Sequence, residues 1–157
     1  MIKVLFLASG NGGTMKFIHQ ASRLYNLDFE ISGVISDREC GSTIYSNSQK
    51  IPTFIFNKWR EQTDEIIACI KSLSSDIVVT NIFKILPPAI FECCNAKFIN
   101  LQYSLLPAFG GVIGFKTLEL AKGANTRIIG ATCHYVSEEV DAGKVISQAA
   151  IPVDWSD

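Results

Sequence analysis

The chain has 157 residues, of which 48% are hydrophobic and 18% are charged, and its formal net charge is −1. This length suits one ordinary domain, so we expect a single domain over residues 1–157. Fifteen acidic residues against fourteen basic ones give no field that would gather a phosphodiester backbone. No apolar run approaches the roughly 20 residues of a membrane-spanning helix, and the N-terminus lacks a signal-peptide pattern. We therefore expect a soluble, cytoplasmic protein that binds neither nucleic acid nor membrane.

The five cysteines have no spacing that is typical of a disulfide framework or a metal site. Neither is predicted. Cys133 precedes His134, which would suit a cysteine–histidine nucleophile. Adjacent residues of a strand point to opposite faces, however, and this argues against such a pair.

Strands and helices alternate along the first two-thirds of the chain, and the last third is rich in strands. Apolar runs predict strands over residues 2–8, 29–35, 52–56, 77–82, 97–101, 127–136 and 145–153. Helical periodicity and breaker residues predict helices over residues 15–25, 42–50, 66–73, 87–94 and 115–122, with Thr14 capping the first and Thr63 or Asp64 the third. This order predicts a doubly wound, mostly parallel α/β sheet of the Rossmann-like type, with antiparallel strands near the C-terminus.

Ligands of such sheets bind beyond the carboxyl ends of the strands. The turn after the first predicted strand consists of Gly10, Asn11, Gly12, Gly13 and Thr14. Its backbone N–H groups at a helix start could hold a phosphate or a carboxylate. The turn is neither a Gly-x-Gly-x-x-Gly motif nor a P-loop, so it is equally consistent with a structural turn.

Two further segments carry polar side chains that alternation brings to one face. Asn100 and Gln102 share one side of a predicted strand, and Thr132 and His134 share one side of another. Asp141 follows in a predicted turn. Taken singly, these residues also fit ordinary loop hydrogen bonding and a structural histidine.

The order of these pieces resembles the formyltransferase family that uses formyl-tetrahydrofolate, most closely its ribonucleotide enzymes of purine synthesis. The resemblance rests on Gly-Asn-Gly at residues 10–12, Asn100 followed by Ser-Leu-Leu-Pro at 104–107, and His134 seven residues before Asp141. It also covers residues 33–37 and 143–149. It implies the formyltransferase fold for the whole chain, formyl-tetrahydrofolate as the formyl donor, and a small-molecule amine, phosphorylated or nucleotide-linked, as the acceptor.

The resemblance also implies residue roles. In the family an amine attacks the formyl carbon, while an Asn and a His hold the oxyanion and an Asp helps to move protons. Carried over by motif, the catalytic residues are Asn100, Gln102, His134 and Asp141. The donor pocket is formed by Phe83, Lys84, Ile85, Leu86, Asn100, Val140 and Asp141, and the turn from Gly10 to Thr14 binds the substrate phosphate.

The chain departs from the family pattern in several places. Gln102 stands where the family has its catalytic histidine, and a glutamine cannot relay a proton near neutral pH. Gly13-Thr14 replaces Ser-Asn, residues 108–111 replace Lys-Tyr-Pro-Gly, and we expect the family's next helix to be absent after residue 157. Three hypotheses follow: a formyltransferase impaired by Gln102, a binding protein without turnover, or a transferase of another one-carbon or acyl group. The sequence predicts no oligomeric state.

Overall fold

The computed structural model describes residues 1–137 and 141–156. Its strands are β1 (Ile2–Ala8), β2 (Phe29–Ser36), β3 (Thr53–Ile55), β4 (Ile77–Asn81), β5 (Lys97–Gln102), β6 (Ile128–Tyr135) and β7 (Val145–Pro152). Its helices are α1 (Gly13–Tyr25), α2 (Gly41–Ser48), α3 (Thr63–Leu73), α4 (Pro88–Glu92) and α5 (Lys116–Gly123). The strands form a seven-stranded mixed sheet, so the predicted fold class and every predicted element are confirmed.

Chain contacts divide the molecule into two compact units, Met1–Phe98 and Ile99–Asp157. In the first unit four parallel strands lie in the order β3-β2-β1-β4. Leu5, Phe6 and Leu7 of β1 are fully buried, as are Val34 and Ile35 of β2. Central parallel strands are covered on both faces, which is why these strands read as continuous apolar runs. The expectation of a single domain stays a prediction.

Helix α1 begins differently from its prediction. Gly12, in the left-handed region at φ 73°, precedes the helix, and no side chain caps it. Thr14 therefore lies in the first turn rather than at the cap. Helix α3 begins at Thr63, after Gln62, again without a side-chain cap, so the caps predicted for this helix were also wrong.

The second unit contains β5 from Ile99 onward together with β6 and β7, and these strands pair in antiparallel fashion. Across the β5–β6 ladder, Asn100 pairs with His134 and Gln102 pairs with Thr132. Directly paired residues share one face of a sheet, and so do alternate residues of a strand. These four side chains therefore project from the same face.

Within the described residues, none of the helices has the length and hydropathy needed to cross a membrane. The same stretches, 1–137 and 141–156, contain no group of three or more His, Cys, Asp or Glu residues suited to a metal ion.

Candidate active site

The glycine turn of the first unit connects β1 to α1 and packs closely against the start of α2. The Ser42 backbone N–H and hydroxyl both donate to Gly10 O, at 3.0 and 2.8 Å. A Cβ at Gly41 would lie 2.8 Å from the Asn11 Cα, and Gly12 has a positive φ. Glycine is needed at both positions, because the backbones approach too closely for a side chain at one and turn left-handed at the other. The turn thus has the predicted place, at the amino end of a 13-residue helix.

The segment after β4 exposes large apolar side chains. Phe83 is 57% exposed and Ile85 is 88% exposed. The Phe83 ring lies against the glycine turn, 3.6 Å from where a Gly10 Cβ would be. Neighbouring exposed apolar groups beside a polar turn are typical of a surface that binds a flat ligand. Two segments that the sequence predicted to bind ligands therefore lie side by side in the first unit.

The buried carboxylate of Asp37 connects these two segments through Ser9 and Lys84, and it was not predicted from the sequence. The Asp37 side chain is 1% exposed and accepts a hydrogen bond from the Ser9 hydroxyl at 2.7 Å. Arg38 Nη2 donates to it at 2.6 Å, and Lys84 Nζ lies 3.5 Å away. The Phe83 N–H in turn donates to Ser9 Oγ at 2.9 Å. Asp37 follows β2 at the carboxyl edge of the sheet, and this position was the signal that could have identified it.

The electrostatics of this cluster favour the ionised carboxylate. Burial by itself raises the pKa of Asp37, but the hydrogen bonds from Arg38 and Ser9 and the charge of Arg38 outweigh it. The resulting pKa is about 2. Asp37 is therefore a permanent anion at neutral pH. Through the Ser9 hydroxyl, which accepts from the Phe83 N–H, it holds the start of the segment after β4 in place.

In the second unit, His134 and Asp141 lie together. His134 is 2% exposed, and its Nε2 is 3.4 Å from Asp141 Oδ1. Its Nδ1 is 2.9 Å from Tyr135 O. A carbonyl oxygen only accepts, so we assign a proton to Nδ1, and Nε2 faces the carboxylate. The pairing of Asn100 with His134 across the ladder brings three predicted catalytic residues to one region.

The other oxygen of Asp141 holds a loop. Asp141 Oδ2 accepts a hydrogen bond from the Gly111 N–H at 2.7 Å. The Asp141 side chain is 9% exposed. The Gly111 N–H therefore fixes one oxygen of the carboxylate, and the other oxygen lies beside the His134 imidazole.

Gln102 is buried, and its amide group is used within the protein. Its Nε2 donates to Val112 O at 2.9 Å and to Phe109 O at 3.3 Å. Two carbonyl acceptors can be satisfied only by the NH₂ end of the amide, which fixes the orientation of the side chain. The amide hydrogens of Gln102 are thus directed at the loop rather than at an open space.

Thr132, which is fully buried, holds the neighbouring part of the same loop. Its hydroxyl donates to Ser104 O at 2.7 Å and accepts from the Leu106 N–H at 3.0 Å. Gln148 Nε2 donates both to this hydroxyl and to Leu106 O. Sequence alternation placed Thr132 correctly beside His134, but its partners lie in the loop and carry no sequence signal.

Cys133 is half-buried, and burial raises the pKa of its thiol. It therefore stays protonated, which agrees with the sequence argument against a nucleophile. Val140, predicted to contact the donor, lies outside the described residues, and its role stays a prediction.

A family model described as formyl transferase matches residues 2–157 of the chain. The observed fold agrees with this match. The chain belongs to the formyl transferase family.

Individual proteins of this family are similar to the chain over most of its length. The chloroplastic phosphoribosylglycinamide formyltransferase of Vigna unguiculata is 28% identical over 96% of the chain. The chain spans 51% of that relative, about half of its length. The crystal structure of phosphoribosylglycinamide formyltransferase from Anaplasma phagocytophilum superposes with a TM-score of 0.86 at 33% identity, covering 99% of this chain and 74% of that one. A formyltetrahydrofolate deformylase of Mycobacterium bovis is 36% identical over 50% of the chain and 24% of its own length.

Proposed function

We propose that the chain transfers a formyl group from formyl-tetrahydrofolate to the primary amine of a small phosphorylated or nucleotide-linked acceptor. The names of the relatives support this choice of reaction. The observation that carries it is the grouping of Asn100, His134 and Asp141 on and beside one face of the β5–β6 ladder, with a 3.4 Å contact between the imidazole and the carboxylate.

The reaction needs hydrogen-bond donors for the oxyanion and a group that moves a proton. The amine nitrogen forms a bond to the formyl carbon, and the carbonyl oxygen becomes an oxyanion to which the Asn100 amide donates. The bond from this carbon to the folate nitrogen then breaks. The proton lost by the amine passes to that nitrogen, with Asp141 as the acceptor and donor. His134 lies beside this carboxylate, with its Nε2 3.4 Å from Asp141 Oδ1.

The binding segments fit the two substrates. The exposed Phe83 and Ile85 side chains and the nearby backbone suit a flat heterocycle such as the folate donor. The N–H groups of the Gly10–Thr14 turn suit the phosphate of the acceptor. Lys84, held at 3.5 Å by Asp37, adds positive charge to this unit.

A second function, binding of these ligands without transfer, is favoured by the use of Gln102. Its amide hydrogens are taken by two loop carbonyls, which removes it as an oxyanion donor. Loss of one such donor lowers the rate about a hundredfold to a thousandfold in other enzymes. Under this second function, Asn100 and Asp141 alone do not support turnover.

One experiment separates the two functions. The purified chain is titrated by calorimetry with a formyl-tetrahydrofolate analogue, and tetrahydrofolate release is then measured with a mixture of phosphorylated amines. Binding together with release that Asp141→Asn abolishes supports formyl transfer. Binding without release supports the second function, and absence of binding contradicts both. Release of another acyl group from a different donor would support the third hypothesis.

A further inference from the structure

We propose that Gln102 is a positioning residue for Asp141, acting through the loop segment from Phe109 to Val112, which we call the clasp loop. The proposal rests on the proposed function only for its effect on rate. The contacts themselves are independent of any activity.

Gln102 holds the clasp loop through two hydrogen bonds. Its amide donates to Phe109 O and to Val112 O, one at each end of the clasp loop. Gln102 is 7% exposed, so water competes little for these hydrogen bonds. A buried amide with both hydrogens used holds its acceptors more firmly than an exposed one.

The clasp loop in turn contacts the Asp141 carboxylate. Gly111 lies between the two carbonyls that Gln102 holds, and its N–H donates to Asp141 Oδ2 at 2.7 Å. Hydrogen bonds to an ionised carboxylate are short and strong. The amide of Gln102 therefore sets the position of the N–H that orients Asp141.

Two longer backbone hydrogen bonds also hold the clasp loop, from the Gly110 N–H to Pro107 O at 3.4 Å and from the Val112 N–H to Phe109 O at 3.3 Å. Phe109 at φ 56° and Gly111 at φ 76° both lie in the left-handed region. A cavity of about 100 Å³ lies beside Phe109, and its lining includes Leu105 and Ala121. Tight apolar packing does not hold the loop on that side, which leaves the polar contacts as its main restraint.

The test compares two glutamines that both donate to loop carbonyls. Gln102→Met keeps the volume and removes the donors. Gln148→Met is the matched control, because Gln148 holds Leu106 and Thr132 but not the clasp loop. The readout is the backbone amide of Gly111 in proton–nitrogen NMR spectra, followed by its hydrogen-exchange rate.

We expect the Gly111 proton to resonate downfield in the wild type and to lose this shift in Asp141→Asn. Gln102→Met should give the same upfield movement, with exchange faster by about tenfold or more, whereas Gln148→Met should leave Gly111 unchanged. In an active enzyme Gln102→Met should lower kcat by about tenfold and change KM by less than about twofold. An unchanged Gly111 shift and exchange rate in Gln102→Met would overturn the proposal.

Gln102→Glu is a second test variant, for the case in which Gln102→Met does not fold. At neutral pH its carboxylate has a similar shape but no donor, so it should release Gly111 as Gln102→Met does. A folded Gln102→Glu protein with a wild-type Gly111 signal would likewise overturn the proposal. These signals do not depend on turnover, so a lack of formyl transfer would contradict the proposed function and leave this test intact.

Discussion

The buried carboxylate of Asp37 makes a quantitative prediction about stability. Its pKa in the folded chain is about 2, against an ordinary value of 3.8. This difference corresponds to about 2 kcal/mol of stability at neutral pH, at 1.36 kcal/mol per pKa unit. Because the folded pKa is the lower one, the contribution is complete above about pH 4 and is lost as the pH falls through about 2.

Asp37→Asn removes the charge while keeping the size of the side chain. The amide oxygen can still accept from the Ser9 hydroxyl, but the amide nitrogen would face cationic donors. Arg38 and Lys84 are 52% and 39% exposed, so water can solvate them after the change. We therefore expect a loss of about 2 kcal/mol at pH 7, which is less than the roughly 3–5 kcal/mol that follows when a fully buried ion pair is broken.

Urea unfolding at pH 7, 4, 3 and 2 measures this directly. The difference between the wild type and Asp37→Asn should be about 2 kcal/mol at pH 7 and should nearly vanish at pH 2. Asp154→Asn is the control, because Asp154 pairs with Arg127 on the surface, and we expect no measurable change there. Equal pH dependence in the wild type and Asp37→Asn would refute the reasoning.

Two further substitutions test the local geometry. Gly41→Ala places a Cβ 2.8 Å from the Asn11 Cα, so it should destabilise by about 1–3 kcal/mol and weaken the binding of inorganic phosphate in a calorimetric titration. Gly13→Ala, where nothing lies within 4 Å, should be neutral or stabilise by up to about 1 kcal/mol, and similar losses in both variants would contradict the argument. Thr132→Val removes a buried hub of three hydrogen bonds and should cost about 1–3 kcal/mol in urea unfolding. Thr126→Val, which loses a single hydroxyl bond at 3.2 Å, should cost less than half as much, and the reverse order would show that the hub is not needed.

The fold was predictable because its strands are continuous apolar runs and its turns carry glycine. Leu5, Phe6 and Leu7 are buried for the reason that made them recognisable in the sequence. Periodicity was less informative at the surface. In α1, Met15, Leu24 and Tyr25 fit one helical spacing, yet Met15 is buried and the other two are at least 70% exposed.

The site was predictable where strand alternation decides it, as for Asn100 with Gln102 and for Thr132 with His134, but the register that pairs Asn100 with His134 came only from the structure. It was not predictable where a side chain meets a loop backbone. The acceptors of Gln102 are carbonyl oxygens whose positions depend on left-handed residues, and no periodicity encodes them. Asp37 was overlooked because a single charged residue after a strand is common, and only the three-dimensional structure brings Lys84 to it.

The central claim, formyl transfer that depends on Asp141, is tested most directly by following the formyl carbon itself. The wild-type chain is mixed with formyl-tetrahydrofolate labelled with ¹³C at the formyl group and with phosphoribosylglycinamide, and the label is followed by NMR. We predict that the label moves into a new formamide in the wild type and stays on the donor in Asp141→Asn. Label that remains on the donor in both proteins, or that appears only as free formate, would contradict the account.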